Sequence, residues 1–359
     1  MDRAVSSEKR ETLRKIELWA AKTVVAFVAA FAVLHVFGLF YYNLPGSQDT
    51  TTGATDVIRK PNYFYCSMSE GFGYGRIDKN GYTNSSDMAE RDRCDVLILG
   101  SSHMAGLQVP QDKTTARVLD GLLDDMAVYN MGMTAHYLLR CAQNLRDAIT
   151  QVKPTKYVII ETRRLIYDDE EVQQVLSNDL PRVIVSARND KPQKNIIMGT
   201  PYMRWLSVQR GNSRYFQKMK KSPEKFLPAP ILSYALTAEM IDRMRRIAEE
   251  NHVTLIILHH ARMVLNEDGS AAAEDNPDEV RDFAAACSAA GVVFVNMTDV
   301  FLQAYADEHI LPHGFANTQI GTGHLNADGH RMIAEELARV IRELEQSRAG
   351  RESETGDHE

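Results

Sequence analysis

The sequence lacks the patterns of several common protein classes. Its four cysteines form no C-x-x-C pair, which argues against a zinc ribbon or a thioredoxin-type motif. It has no basic stripe with interleaved aromatic residues, and its net charge is -7, so we expect no nucleic-acid partner. The cysteines have two open interpretations, buried free thiols or one to two disulfides if the domain lies outside the cytoplasm. They are Cys66, Cys94, Cys141 and Cys287.

Charged residues are also absent from 23–42, which reads TVVAFVAAFAVLHVFGLFYY. At a rise of 1.5 Å per residue, a helix of about 20 residues matches a hydrocarbon core of about 30 Å. Several Lys and Arg residues precede this run, and the next one after it is Arg59. This asymmetry predicts a transmembrane helix with residues 1–22 in the cytoplasm and the remainder across the membrane. A cleaved signal peptide is the alternative. The length of the run and the lack of an A-x-A pattern after Tyr42 favour an uncleaved signal anchor.

The remainder divides into a linker, one large domain and a tail. Residues 43–62 contain Pro45, Gly46 and a Thr run, and they predict a linker. Residues 63–346 have the apolar content of a globular domain. Residues 347–359 are polar and predict a disordered tail.

Inside the domain, short apolar runs alternate with helical patterns. This alternation predicts a three-layer α/β/α sandwich around a parallel five-stranded sheet, as in flavodoxin-like folds. The predicted strands are 95–99, 127–130, 157–160, 254–258 and 292–295. Residues from about 168 to 232 interrupt the alternation, and we interpret them as an insertion that forms a cap or one wall of a cleft.

The residues just after the strands carry the candidate chemistry, because ligands bind beyond the carboxyl ends of parallel strands. After the first strand, Gly100-Ser101-Ser102-His103 forms a turn that exposes a hydroxyl and aims backbone N–H groups at the same point. The alternative is a glycine turn followed by a serine helix cap. After the second strand, Gly132 offers an N–H as an oxyanion donor, or is an ordinary turn residue.

Histidines mark the end of the domain and the fourth strand. His324, in GTGHLNADGH at 321–330, is placed to reach the first loop and take a proton from Ser102; the alternative is a surface turn. We interpret His330 as a packing residue. His259 and His260 follow the fourth strand without further ligands at matched spacing, so we interpret them as core or rim histidines and expect no metal or cofactor.

The order of three motifs resembles the SGNH/GDSL hydrolases: Gly-x-Ser, the later glycine and His-Leu-Asn-x-x-Gly-His. The chain is similar to a membrane-anchored variant of this family with Gly-Ser-Ser at the first motif. The resemblance covers about 95–344 and implies the SGNH hydrolase fold. It implies that Ser102 is the nucleophile and His324 the general base. It also implies an oxyanion hole formed by the N–H groups of Ser102 and Gly132.

The sequence departs from the family pattern at three places. Ser101 occupies the slot of the family's aspartate in Gly-Asp-Ser. Gly321 occupies the position of the catalytic Asp, so His324 is oriented by a backbone carbonyl or by a carboxylate from elsewhere, with Asp299 and Glu161 as candidates. The family's third-strand Gly-x-Asn-Asp is absent, which removes an Asn donor and leaves Arg163 as a replacement candidate.

The resemblance and the expected location imply a serine esterase or acyltransferase at the outer membrane face. Its substrate would be O-acetyl groups of a cell-surface polysaccharide or another ester. A membrane acyltransferase is a candidate partner. The alternative is a catalytically impaired glycan-binding or scaffold protein of the cell envelope. The missing Asp and Asn favour that alternative, whereas Ser102 and His324 oppose it.

The orientation of the anchor is directly testable. We expect a reporter that is active only outside the cytoplasm to be active when fused after Glu359, because the basic residues flank the N-terminal side of the apolar run. Reporter activity in intact cells measures the outcome. A cytoplasmic location of the reporter contradicts the predicted topology.

Overall fold

The computed structural model describes residues 2–43, 47–49, 57–68, 70–179, 234–318 and 321–356. The chain divides into two compact units. The first comprises Met1–Asn43 and Pro192–Lys225, and only its N-terminal part is described. The second comprises Leu44–Lys191 and Phe226–Glu359 and contains the sheet.

Helix α1, Asp2–Tyr41, is continuous and is followed by the short strand β1, Tyr42–Asn43. Its segment Arg10–Val36 contains an 18-residue window with a mean hydropathy of 1.8 and is long and apolar enough to cross a membrane, by length and composition. The apolar side chains of this window, such as Phe27, are exposed rather than packed into a described core. A signal sequence meets the same criterion of length and composition.

The second unit begins with two antiparallel strand pairs. Strand β2, Ser47–Asp49, pairs with β3, Val57–Arg59, and β4, Phe64–Ser67, pairs with β5, Gly73–Arg76. Arg59 is buried and donates to Thr134 Oγ1 at 2.8 Å. The prediction of a linker up to residue 62 is therefore wrong at its end, because β3 packs against the domain.

The central sheet confirms the predicted fold class. Its order is β12-β9-β8-β6-β7, and every pairing is parallel. The strands are β6 Val96–Leu99, β7 Val128–Asn130, β8 Tyr157–Thr162, β9 Thr254–His259 and β12 Val293–Asn296. The chain leaves β6 toward one edge and returns to β8 on the other side, so the loops after β6 and β8 diverge at a topological switch point.

Helices cover both faces of the sheet. Along β6, Leu97 and Leu99 pack into the core that contains the buried residues of α5, Leu138–Val152. Val96 and Ile98 pack into the core on the side of α4, Thr115–Leu122, and α10, Ala327–Gly356. The short hairpin of β10, Met263–Leu265, and β11, Ala271–Ala273, follows β9. The helices are α2 Ser86–Ala89, α3 Ser102–Ala105, α4 Thr115–Leu122, α5 Leu138–Val152, α6 Asp169–Leu176, α7 Tyr234–Glu250, α8 Pro277–Ala289, α9 Thr298–Glu308 and α10 Ala327–Gly356.

The C-terminal segment is helical over most of its length. Helix α10 continues to Gly356, so the prediction of disorder from residue 347 is wrong over 347–356. Arg348 donates a hydrogen bond to Thr254 Oγ1 and lies over the ring of Tyr157 at 5.0 Å, which ties this turn to the sheet.

Helix α6 falls within the predicted insertion, and residues 180–233 lie outside the described residues. All four cysteines are buried free thiols.

The contacts of Arg348 predict a measurable stabilisation. We expect Arg348→Ala to lower the free energy of unfolding by about 1 kcal/mol and Tm by about 2 °C, since it removes a cation–π contact and a hydrogen bond. The exposed neighbour Gln346 is the control, and Gln346→Ala should leave Tm unchanged. Equal melting curves for the two variants contradict the docked tail.

Candidate active site

The two serines in the turn after β6 have different contacts. Ser101 is the N-cap of α3, where its Oγ accepts from the N–H of His103 at 3.3 Å. The Ser101 N–H donates to Glu161 Oε2 at 2.7 Å, so this residue is held at both ends. Ser102, the first residue of α3, is half-buried. The helix-cap interpretation thus applies to Ser101, and the hydroxyl of Ser102 faces another partner.

That partner is His324, which completes a line of three side chains. His324 Nε2 lies 2.9 Å from Ser102 Oγ, and its Nδ1 lies 2.7 Å from Glu70 Oε2. The backbone N–H of His324 also donates to Glu70 Oε1 at 2.5 Å. A carboxylate that accepts from Nδ1–H leaves the lone pair of Nε2 directed at the serine hydroxyl. The three groups therefore have the arrangement of a Ser-His-Glu triad.

Glu70 lies in the loop between β4 and β5, outside the motifs predicted from the sequence. Burial raises the pKa of its carboxyl, but the hydrogen bonds and charge of His324 outweigh that effect and hold the pKa below its ordinary value. Glu70 is thus ionised at neutral pH. Neither the strand pattern nor the motif spacing predicts a role for Glu70, since it is one acidic residue in the loop of a hairpin that precedes the central sheet.

The two carboxylates expected to orient His324 lie elsewhere. Asp299 is exposed in the first turn of α9. Glu161 is fully buried at the end of β8, where it binds the Ser101 N–H and accepts from His260 Nε2 at 2.9 Å. Both predictions for the orienting acid are therefore wrong, because Glu70 occupies Nδ1 of His324. Glu161 instead positions the turn that carries Ser102.

A glycine makes room for the carboxylate of Glu70. Gly323 has φ +89°, and a Cβ placed there would lie 2.0 Å from Glu70 Oε1. Any larger residue would displace the carboxylate or the loop. The glycine before His324 is therefore required by the close approach of Glu70 as well as by its backbone conformation.

The backbone N–H of Gly132 is already bonded. It donates to Asn130 Oδ1 at 2.9 Å, and the prediction that it serves the oxyanion hole is wrong for this structure. A Cβ on Gly132 would lie 2.6 Å from the backbone N of Ala105 and from the backbone C of Met104. The glycine thus permits close packing of the turn after β7 against α3.

Arg163 brings a positive charge to the same sheet edge. It is half-buried, and its Nη1 lies 3.4 Å from Nε2 of His103, the residue after Ser102. Burial lowers the pKa of the Arg163 guanidinium, which nevertheless stays charged because an arginine pKa starts above 12. Arg163 thus places a cation beside the loop that carries Ser102.

His259, His260 and His330 are buried. His259 is bonded through both nitrogens, to Thr162 O at 3.2 Å and to Asp275 Oδ2 at 2.9 Å. His260 contacts Glu161, and His330 Nδ1 lies 2.8 Å from Thr115 Oγ1. Their burial agrees with the interpretation as core and packing residues.

Comparisons with known proteins returned similar solved structures only. No family model and no curated protein matches the chain. The psychrotrophic esterase EstA from Pseudoalteromonas sp. is 12% identical with a TM-score of 0.37, over 70% of this chain and 98% of its own. The acetyl xylan esterase AlAXEase is 10% identical with a TM-score of 0.38, over 68% and 99%. A lipolytic protein of the G-D-S-L family from Veillonella parvula is 11% identical with a TM-score of 0.35, over 69% and 97%. These likenesses are distant, so the fold rests on the strand order and the site on its own contacts.

The contact between Glu70 and His324 predicts a strong effect on the reactivity of Ser102. We expect Glu70→Gln to slow the reaction of the full-length protein with a fluorophosphonate by about 10² to 10⁴-fold, because the amide no longer holds His324 in the reactive tautomer. Asp299→Asn is the control and should react at the wild-type rate. Equal slowing in both variants contradicts the assignment of Glu70.

Proposed function

We propose that the protein is a serine ester hydrolase or acyltransferase of the SGNH type, with Ser102 as nucleophile, His324 as general base and Glu70 as the residue that orients the base. The observation that carries this proposal is the unbroken line of contacts from Ser102 Oγ through His324 to Glu70. The motifs around Ser102 and His324 support the same family.

The reaction follows from the positions of the three groups. Ser102 Oγ attacks the ester carbonyl carbon while its proton passes to His324 Nε2, and Glu70 stabilises the resulting imidazolium. Collapse of the tetrahedral intermediate breaks the bond to the alcohol, which leaves with the proton from His324. An incoming water or sugar hydroxyl then gives its proton to His324 and takes the acyl group from Ser102, and His324 returns that proton to Ser102 Oγ.

We assign stabilisation of the oxyanion to two groups. The Ser102 N–H lies in the first turn of α3, where N–H groups have no intrahelical acceptor. Arg163 supplies a charged donor from the end of β8, in place of the amide side chain of the resembled family. This pair replaces the hole predicted from Ser102 and Gly132.

We further propose that α1 anchors the protein in the cell membrane with the catalytic domain outside, and that O-acetyl groups on a surface polysaccharide are the substrate. The basic residues before 23–42 support this orientation. The side chains of His324 and Glu70 are 27% and 21% exposed, so the reactive pair is accessible to an ester carried on a bulky polymer. A membrane acyltransferase is the proposed partner if acyl groups are transferred rather than hydrolysed.

A glycan-binding or scaffold role without catalysis is the second candidate. The bonded N–H of Gly132 favours it, because the oxyanion hole then lacks its second backbone donor. The two roles differ in whether Ser102 becomes acylated, and one pair of variants distinguishes them.

The adjacent serines provide this pair. We expect a fluorophosphonate to label the full-length protein in detergent and to leave Ser102→Ala unlabelled, because the Ser102 hydroxyl contacts His324 whereas the Ser101 hydroxyl caps α3. Ser101→Ala should still be labelled and should lose about 1 kcal/mol of stability, as expected for a lost helix cap. Mass spectrometry of the adduct and thermal melting measure the two effects.

The substrate and the acceptor are then measured with the same proteins. Acetate release from an acetylated polysaccharide, absent in Ser102→Ala, supports hydrolysis, and appearance of acetyl groups on an unacetylated glycan supports transfer. A wild-type protein that is neither labelled nor active on acetyl esters is inconsistent with the enzyme and leaves the binding role.

A further inference from the structure

Three buried histidines converge beside the Ser102 loop. His103 belongs to α3, His260 directly follows β9, and His313 lies in the loop between α9 and α10. Their exposed fractions are 6%, 0% and 1%, and one ring nitrogen from each lies within 4.8 Å of the others. The rings of His103 and His260 have centroids 4.8 Å apart, and those of His260 and His313 are stacked at 5.7 Å.

Several of these nitrogens have no hydrogen-bond partner in the described part of the chain. Among the described residues, no hydrogen-bond partner contacts His260 Nδ1 or either nitrogen of His313. A buried polar atom without a partner destabilises the folded state, and three such atoms in one cluster are costly for a purely structural arrangement. A group that accepts an electron pair from His260 Nδ1 and from one nitrogen of His313 would remove that cost at two of the three atoms.

Glu161 orients one of the three rings. Its carboxylate takes His260 Nε2 as donor at 2.9 Å, so the neutral ring carries its lone pair on Nδ1, the nitrogen without a partner. A carboxylate that holds the far nitrogen of a histidine is the arrangement typical of metal-binding histidines. Glu161 also places a negative charge next to the cluster, which compensates part of the charge of a cation.

The third ring is held only weakly by the protein. His103 Nδ1 lies 3.3 Å from the N–H of Leu325, and Nε2 lies 3.4 Å from Arg163 Nη1. Both distances are long for a hydrogen bond, and a neutral imidazole has one lone pair for the two donors. A cation that binds one nitrogen replaces one of these weak contacts.

We propose that His103, His260 and His313 bind one divalent transition-metal ion. Zinc is the expected ion, because imidazole is one of its usual ligands and three protein ligands leave a fourth position for water. Zinc–nitrogen bonds of about 2.0 to 2.1 Å need nitrogens about 3.4 Å apart, so the three rings, whose nitrogens lie within 4.8 Å of one another, would move closer together on binding. A surface cavity lined in part by His313, Gly314 and Asn326 borders the cluster at His313.

The ion would join the three loops that surround the candidate active site. His103 follows Ser102, and the N–H of Leu325, the residue after His324, contacts His103. The metal is thus a positioning element for the serine and histidine loops. The proposal does not depend on the proposed reaction, because it rests on the three rings and on Glu161 alone.

The neighbouring histidines of β9 provide a matched test. His259 and His260 are both fully buried, but both nitrogens of His259 already have protein partners. We expect full-length protein, purified without a histidine tag and loaded with zinc, to retain about one zinc per chain after gel filtration. His259→Asn should retain the same amount, whereas His260→Asn and His313→Ala should lose it. Elemental analysis measures zinc, and thermal melting confirms that the variants are folded.

Spectroscopy of the wild-type protein keeps the test independent of how the variants fold. X-ray absorption at the zinc edge should show nitrogen neighbours at about 2.0 to 2.1 Å with the multiple scattering of imidazole. Wild-type protein that retains no zinc, cobalt or nickel overturns the proposal. Retention that is equal in His259→Asn and His260→Asn places the ion elsewhere and also overturns it.

Discussion

The buried carboxylate of Glu161 is the constraint on which the arrangement of this sheet edge depends. A charge without exposure to water is costly unless hydrogen bonds replace its hydration, and Glu161 obtains them from the Ser101 N–H and from His260. Burial raises the pKa of this carboxyl and the contacts with His260 lower it, with a net value below the ordinary one. The charged end of the central strand therefore fixes the turn after β6 on one side and the end of β9 on the other.

The sheet was predictable because its strands are covered on both faces. Their apolar runs are unbroken, and parallel strands joined through helices bring the ends of β6 and β8 to one edge. Ser102 and His324 were predictable for the same reason, since each directly follows or precedes a regular element. Ser102 Oγ and His324 Nε2 lie 2.9 Å apart, as the order of the strands and helices predicted.

Other features depend on contacts between segments that the sequence does not relate. Glu70 reaches His324 from a hairpin that precedes the sheet, and the Gly132 N–H is bonded by a side chain two residues away. The polar composition of 347–356 predicted disorder, whereas a continuing helix and the contacts of Arg348 order this stretch. The three clustered histidines lie on distant segments, so no ligand spacing marked them.

The position of Glu70 also concerns how the protein folds. Glu70 and His324 are 254 residues apart, and Ser102 and His324 are 222 apart, whereas β6 and β7 pair across a much shorter loop. Contacts of such high sequence separation form only when nearly all of the intervening chain is organised. A domain that has assembled its sheet but has not docked the hairpin or the last helix has no reactive serine. Reactivity of Ser102 is therefore a late and sensitive reporter of complete folding, and it will be lost before the secondary structure when either end of the domain frays.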